Sequence, residues 1–262
     1  MRRFLLLAAL LACPTWAFAQ TNQTASPVAP LEGLTLGEPM AAVRDTLGDP
    51  LTVASTGSEL IWRYVGRGGA FYVDVLVKNN VAYSVTVVRR YDDSAYTDPR
   101  GVSFGMTSGD VRAKLGTPAQ RTTNSDDGSV DLWYVAGSFR WIYEFYSDRL
   151  GFIQVTPSPA LRATFVSAPE VTPADGSSAG NAIKIRPSNA LTNALWINAY
   201  LAMNQCGSNG HWKELSLHLE LDSSKKGPPG LTVVRARCTD GATERTFYFD
   251  TPGDAAGPGA GA

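Results

Sequence analysis

From residue 71 to residue 88 the apolar side chains keep a strict two-residue rhythm. Phe71, Val73, Val75 and Val77 share one face of an extended chain, and Asn79-Asn80 supplies a turn before Val81 to Val88. The rhythm returns in Phe139, Trp141, Tyr143 and Phe145, where Ser147-Asp148 turns into Leu150 to Val155. Each strand set follows a stretch with a helical period. Met40, Val43 and Leu47, and later Val111 and Leu115, are three and four residues apart, which puts them on one face of helices opening near Glu38 and Ser108. Gly48 and Gly116 stand where a left-handed C-cap is needed, and Pro50 and Pro118 stop the helix from continuing. A short Thr/Ser-rich helix or loop leads from there into the strands. The pattern predicts α+β modules, each with a helical element on one face of a three- or four-stranded antiparallel meander.

The two stretches are copies of one another. Gly33-Leu34-Thr35-Leu36-Gly37, Val43-Arg44 and Leu47-Gly48-Asp49-Pro50 recur as Gly101-Val102-Ser103-Phe104-Gly105, Val111-Arg112 and Leu115-Gly116-Thr117-Pro118, at an offset of 68 residues. Trp62-Arg63-Tyr64 and Trp133-Tyr134-Val135 read as matching aromatic strand signals. The modules span residues 31–88 and 101–156, joined by a connector at 89–100. A stretch rich in Ala, Ser, Pro and Gly at 157–181 reads as a linker. Residues 182–250 form a third, smaller α+β domain. There Pro187-Ser188 opens a helix over Ala190 to Gln205, carrying Leu191, Ala194, Leu195, Ile197 and Leu201, and Gly207 ends it. Leu215, Leu217, Leu219 and Leu221 line a strand, and Asp240-Gly241 is a two-residue hairpin turn that sets Arg237 opposite Glu244 and Val234 opposite Phe247. Residues 20–30 and 251–262 have the composition of a mobile lead and tail.

The N-terminus changes the compartment. Arg2-Arg3, the apolar run Phe4 to Ala12 and Ala17-Phe18-Ala19 before Gln20 form an export signal over residues 1–19. The run is too short to span a bilayer. Leu10-Leu11-Ala12-Cys13 is a loose lipobox, so a lipid anchor at Cys13 is the alternative to a periplasmic or secreted chain. Cleavage leaves 243 residues with a net charge of −3, since the leader removes two arginines and no acid. A weakly acidic chain without a basic run is a poor nucleic-acid binder. The remaining cysteines, Cys206 and Cys238, read as a disulfide in an oxidising compartment.

The repeated Gly-x-Thr-x-Gly, Val-x-x-x-Leu-Gly-x-Pro, Trp-x-Tyr and aromatic strand resemble the outer-membrane assembly lipoproteins of the SmpA/OmlA (BamE) type. The tandem arrangement is similar to beta-lactamase inhibitor proteins. The resemblance covers residues 31–156 and implies modules packed on an antiparallel sheet that act by binding proteins. The chain carries two modules, and residues 31–156 contain no cysteine.

Candidate chemistry is sparse. No His-Glu-x-x-His or phosphate-binding glycine loop is present, no cofactor is implied, and the chain reads as non-enzymatic. A Cys206, His211, His218 and Cys238 zinc set has no usual spacing, and His218 falls on the Glu214, Ser216 and Glu220 face. Asp92-Asp93 and Asp126-Asp127 read as solvated turns, and Arg67-Gly68-Gly69 as a hairpin loop. The best candidate is the sheet face left uncovered by the helices: Tyr72, Asp74 and Leu76 in the first copy and Arg140, Ile142, Glu144 and Tyr146 in the second, a mixture that binding surfaces favour. If the helices cover that face instead, the Trp141 face takes its place. The expected role is a protein-binding or scaffold protein of the cell envelope, with an envelope or secreted protein as partner. Inhibition of a secreted hydrolase is the alternative.

Overall fold

The computed structural model describes residues 31–56, 59–185, 190–206, 210–218, 230–241 and 243–251. The export signal, the lead, the tail beyond Thr251, Pro187-Ser188, Gly207, Leu219 and Leu221 lie outside them. The first copy comprises α1 (Met40–Leu47), β1 (Thr52–Thr56), β2 (Glu59–Val65), β3 (Phe71–Lys78) and β4 (Val81–Arg89). The second comprises α2 (Ser108–Leu115), β5 (Gln120–Thr123), β6 (Val130–Ala136), β7 (Phe139–Tyr146) and β8 (Arg149–Pro157). Where a Thr/Ser-rich helix or loop is expected, the chain forms the edge strands β1 and β5. Their β-branched residues pair with the next strand, Val53 opposite Trp62 and Thr122 opposite Asp131.

The two meanders fuse. The order β1-β2-β3-β4-β8-β7-β6-β5 is one eight-stranded sheet, with equivalent strands β4 and β8 antiparallel at its centre, Val85 opposite Val155 and Val88 opposite Phe152. Both hairpins turn through two residues of positive φ, Asn79-Asn80 (55° and 61°) and Ser147-Asp148 (49° and 55°), the geometry whose twist suits a two-residue loop. Both carry a bulge at the same offset: the ladder shifts between Leu76 and Val77, leaving Tyr83 unpaired, and between Glu144 and Phe145, leaving Gly151 unpaired.

Helix residues Met40, Val43, Leu47 and Val111 join Val73, Val75, Trp141, Tyr143 and Phe145 in one core, so the helices cover the Val73/Trp141 face. Trp62 is 2% exposed within that core, whereas Trp133 pairs with Ile142 on the opposite face. The two tryptophans are therefore not counterparts. Tyr64 and Tyr134, both buried, are each core residues of β2 and β6, and a one-residue step along a strand reverses its faces.

Gly48 and Gly116 do have positive φ, but with ψ of −159° in both; this is a glycine-only region rather than the left-handed helical one, and each N–H still closes the helix on Arg44 O or Arg112 O. Gly116→Ala is expected to cost about 1–3 kcal/mol in urea unfolding, whereas Gly109→Ala within α2 is neutral or gains roughly 0.5–1 kcal/mol. Equal effects would refute the conformational argument. The second helix also has a reciprocal cap that the sequence reading does not register: Asp110 N–H donates to Thr107 Oγ1 (3.1 Å) and Thr107 N–H to Asp110 Oδ2 (2.9 Å). Pro39 takes that place in α1.

Residues 157–181 are laid along the first module. After α3 (Pro159–Arg162), Phe165 packs on the main core and meets Tyr83 edge-on at 6.2 Å. Ala168 N–H donates to Asn79 O (3.1 Å), and Asn80 Nδ2 donates to Ala168 O (3.0 Å). The stretch ends at a buried carboxylate. Asp49 accepts from Ala174 N–H (3.2 Å) and Lys184 N–H (2.7 Å), and its carboxylate lies 2.7 Å from Arg44 Nε.

The C-terminal unit contains β9 (Ile183–Lys184), α4 (Ala190–Met203), β10 (Gln205–Cys206), β11 (Gly210–His218), β12 (Leu231–Cys238) and β13 (Glu244–Asp250), in sheet order β10-β11-β12-β13-β9. The hairpin has the expected register, Arg237 opposite Glu244 and Val234 opposite Phe247. Helix α4 buries Trp196, Ile197, Tyr200 and Leu201 against Val234, Ala236, Phe247 and Phe249, while Leu195 is 54% exposed. Large aromatic residues decide which face turns inward. Cys206 and Cys238 form the disulfide, Cα atoms 5.7 Å apart, with Cys206 in β10 rather than on the helix end. A shift in the β11 ladder between Glu214 and Ser216 pairs Glu214 with buried Ala236, so Glu214 does not share the register face of His218, which pairs with Val233. Leu51 and Val65 of the first module belong to this second core.

Candidate functional site

Cross-strand pairing assembles the helix-free face of the large sheet into rows that run across both modules. The central row is Arg63, Asp74, Thr86, Gln154, Ile142 and Trp133, one residue from each of β2, β3, β4, β8, β7 and β6. A flanking row runs from Tyr72 through Val88 and Phe152 to Glu144. Ile142, Leu76, Phe152 and Trp133 are packed into neither core.

All seven residues expected from sequence lie on this face, and they are not equivalent. Tyr72 is half-buried against the C-terminal core and lies between the guanidinium groups of Arg63 (5.1 Å) and Arg90 (5.2 Å). Asp74 is held in a two-pronged pair by Arg63, Nε to Oδ1 at 2.7 Å and Nη2 to Oδ2 at 2.6 Å, and this bond raises the arginine above its ordinary value. Leu76 is half-buried opposite Ser84. Ile142 is only 8% exposed, between its neighbours Gln154 and Trp133. Arg140 is exposed and lies 5.5 Å over the Trp133 ring. Tyr146, 47% exposed, donates to Glu144 Oε1 (2.6 Å); desolvation, then that bond, raises its phenol above the ordinary value. Arg63, Thr86, Gln154 and Trp133 are absent from the sequence-based set. They are the period-two complement of the buried residues in β2, β4, β8 and β6, but joining them into one row requires the β4–β8 pairing.

At one end of this face a cavity of about 1110 Å³ opens between the Arg89–Asp92 turn and the β7–β8 hairpin, lined by Arg90, Tyr91, Tyr146, Arg149 and Gly151 among others. Arg89 pairs with Asp92 (3.3 Å). Arg90 Nη1 donates to Gly69 O (3.2 Å), and Arg149 Nη1 to Gly105 O (3.0 Å).

The other chemical clusters act on the fold. Asp98 accepts from Tyr143 Oη (2.7 Å), Val102 N–H (2.8 Å) and Arg100 N–H (2.9 Å), which ties the connector to the second module; burial raises its carboxyl above the usual range. The Arg100 guanidinium lies over Tyr134 (5.4 Å) and Trp141 (5.5 Å). Cys206 and Cys238 are bonded to each other, and His211 is exposed. Asp127 accepts from Ser129 N–H (2.9 Å) within its turn, which lowers its carboxyl, and Asp92-Asp93 are exposed in theirs. Arg67–Gly69 is a 3₁₀ turn.

No protein-family model and no curated protein matches this chain. Solved structures resemble it in part. A DUF4309 family protein from Bacillus subtilis is 13% identical with a TM-score of 0.39, the match covering 48% of this chain and 84% of that one. An extracellular protein containing an SCP domain from Bacillus anthracis is 12% identical with a TM-score of 0.35, over 53% of this chain and 50% of that one, so this chain spans half its length. A candidate beta-lactamase inhibitor protein from Streptococcus mutans is 14% identical with a TM-score of 0.19, over 44% of this chain and 81% of that one. These likenesses are distant, and none carries a residue role to this chain. Among the described residues no helix is long and apolar enough to cross a membrane.

Proposed function

We propose that this is a non-enzymatic binding protein of the cell envelope or the secreted space, and that the helix-free face of the eight-stranded sheet holds its protein partner. One observation carries the reading: fusion of the two modules through β4 and β8 makes a single surface on which Arg63, Ile142 and Trp133 stand in one row without joining either core. Such residues dominate binding energy where a partner excludes water around them. The export signal expected from the sequence supports a partner outside the cytoplasm.

A photo-reactive residue at position 154 tests this, with the full chain expressed in its own cells. The expected result is one dominant crosslinked protein, lost with Trp133→Ala and with Arg140→Ala, and not captured from exposed Ala113 on α2. Capture that ignores both substitutions, or that is equal from position 113, would overturn the assignment. A soluble hydrolase as the captured protein would make the chain an inhibitor.

A further inference from the structure

The repeat allows each surface of one module to be compared with its counterpart in the other. In the first module, the surface around Gly37, the Asn79-Asn80 turn and the bulge residue Tyr83 is occupied by the chain's own residues 165–168. A Cβ at Gly37 would lie 2.7 Å from the Phe165 ring, Tyr83 meets that ring edge-on, and Ala168 is bonded to the turn on both sides. The 68-residue offset maps Gly37 onto Gly105, Asn79 onto Ser147 and Tyr83 onto Gly151, and all three line the cavity of the second module. The backbone repeats as well. Gly37 and Gly105 have φ of 87° and 79°, and Gly37 N–H donates to Ala82 O as Gly105 N–H does to Leu150 O. The aromatic platform is kept but transferred: at Gly151 the ring that lies close is Tyr146, 3.4 Å from where a Cβ would be. Over Gly105 a Cβ would meet nothing within 4 Å. The connector leaving β4 turns instead towards the helical side, where Tyr96 packs between Phe71 (4.8 Å) and Phe104 (5.4 Å).

The cavity also differs in charge. Arg90 and Arg149 are held by backbone carbonyls, which fix a guanidinium without neutralising it, and Arg90 is stacked against Tyr72 and Tyr91 (4.8 Å). Two carboxylates lie near Arg149: Asp148, which accepts from Ser108 N–H (3.0 Å), and Asp110 of the α2 cap.

We infer that this cavity takes an extended segment of a partner protein, with an aromatic side chain seated between Gly105 and Tyr146 and an acidic group facing Arg90 and Arg149. It does for a partner what the surface around Gly37 does for Phe165. The inference rests on the protein-binding reading and places one specific contact at the end of the sheet face.

The probe is a synthetic peptide of residues 163–170, Ala-Thr-Phe-Val-Ser-Ala-Pro-Glu, added to the isotope-labelled full chain. Saturable amide shifts are expected at Gly105 and Gly151. Affinity should fall about tenfold with Tyr146→Ala, with Arg149→Gln, or when the peptide's phenylalanine is replaced by alanine. Ala113→Ser, at an exposed position of α2, should leave peptide binding unchanged. Shifts confined to Gly37, where the peptide would exchange with the chain's own segment, would overturn the inference. So would the absence of saturable shifts, or affinity indifferent to both Tyr146→Ala and Arg149→Gln. If the peptide fails while Trp133→Ala still abolishes partner capture, only this contact is wrong and the sheet face stands.

Discussion

Asp49→Ala is expected to lower the free energy of unfolding by about 3–5 kcal/mol, the scale of breaking a buried charge pair. Asp49 is 1% exposed, and its carboxylate gathers three parts of the molecule: Arg44 at the end of α1, Ala174 at the end of the stretch crossing the first module, and Lys184 in β9. The Asp49 N–H also donates to Lys184 O at 2.6 Å. Alanine leaves a half-buried guanidinium without its counter-charge and two N–H groups without acceptors, each worth roughly 1–3 kcal/mol when buried. Asp45→Ala is the control. Its pair with Lys184 (3.0 Å) is exposed on both sides, and such pairs contribute about 0–1 kcal/mol. Urea unfolding gives the totals, and hydrogen exchange at Ala174 and Lys184 locates the loss. If the two variants behaved alike, Asp49 would not be the latch between module and C-terminal unit.

Removal of the Cys206–Cys238 bond, by reduction or by serine at both positions, is expected to destabilise the C-terminal unit by about 3–4 kcal/mol, the chain-entropy scale for a loop of this size. The cysteines are 32 residues apart. The bond ties β10 to the end of β12, beside the aromatic core of α4 and β13. The loss should be local: exchange protection falls in α4 and β11–β13 at denaturant concentrations where β3, β4, β7 and β8 remain protected, and unfolding ceases to be a single transition. One coincident transition, displaced by less than about 1 kcal/mol, would show that the packing of Trp196, Tyr200, Phe247 and Phe249 holds this unit without the staple.

Much of the architecture can be read locally because it is dictated locally. The two-residue rhythm at Phe71–Val77 and Phe139–Phe145 identifies the buried sheet face, since alternation is a property of the extended backbone itself. The Asn79-Asn80, Ser147-Asp148 and Asp240-Gly241 turns set hairpin registers for the same reason. Where a segment carries no alternating apolar pattern, local reading fails. Thr52–Thr56 and Gln120–Thr123 become strands only because β2 and β6 offer them an edge. Trp62 and Trp133 look alike in sequence and face opposite ways, because one step of register reverses a strand.

The doubled module, the alternation of its strands and the cysteine pair all follow from composition and short-range spacing. Three features arise only in the folded chain. The β4–β8 pairing turns two small sheets into one surface and brings Arg63 and Trp133 into a common row. Asp49, in a position where the second copy has Thr117, becomes the anchor for segments more than a hundred residues away. Residues 157–181, whose composition is that of a linker, close one module's surface and leave the other's open. Each depends on contacts between residues far apart in sequence, and no local periodicity encodes which distant backbone will supply the hydrogen bond.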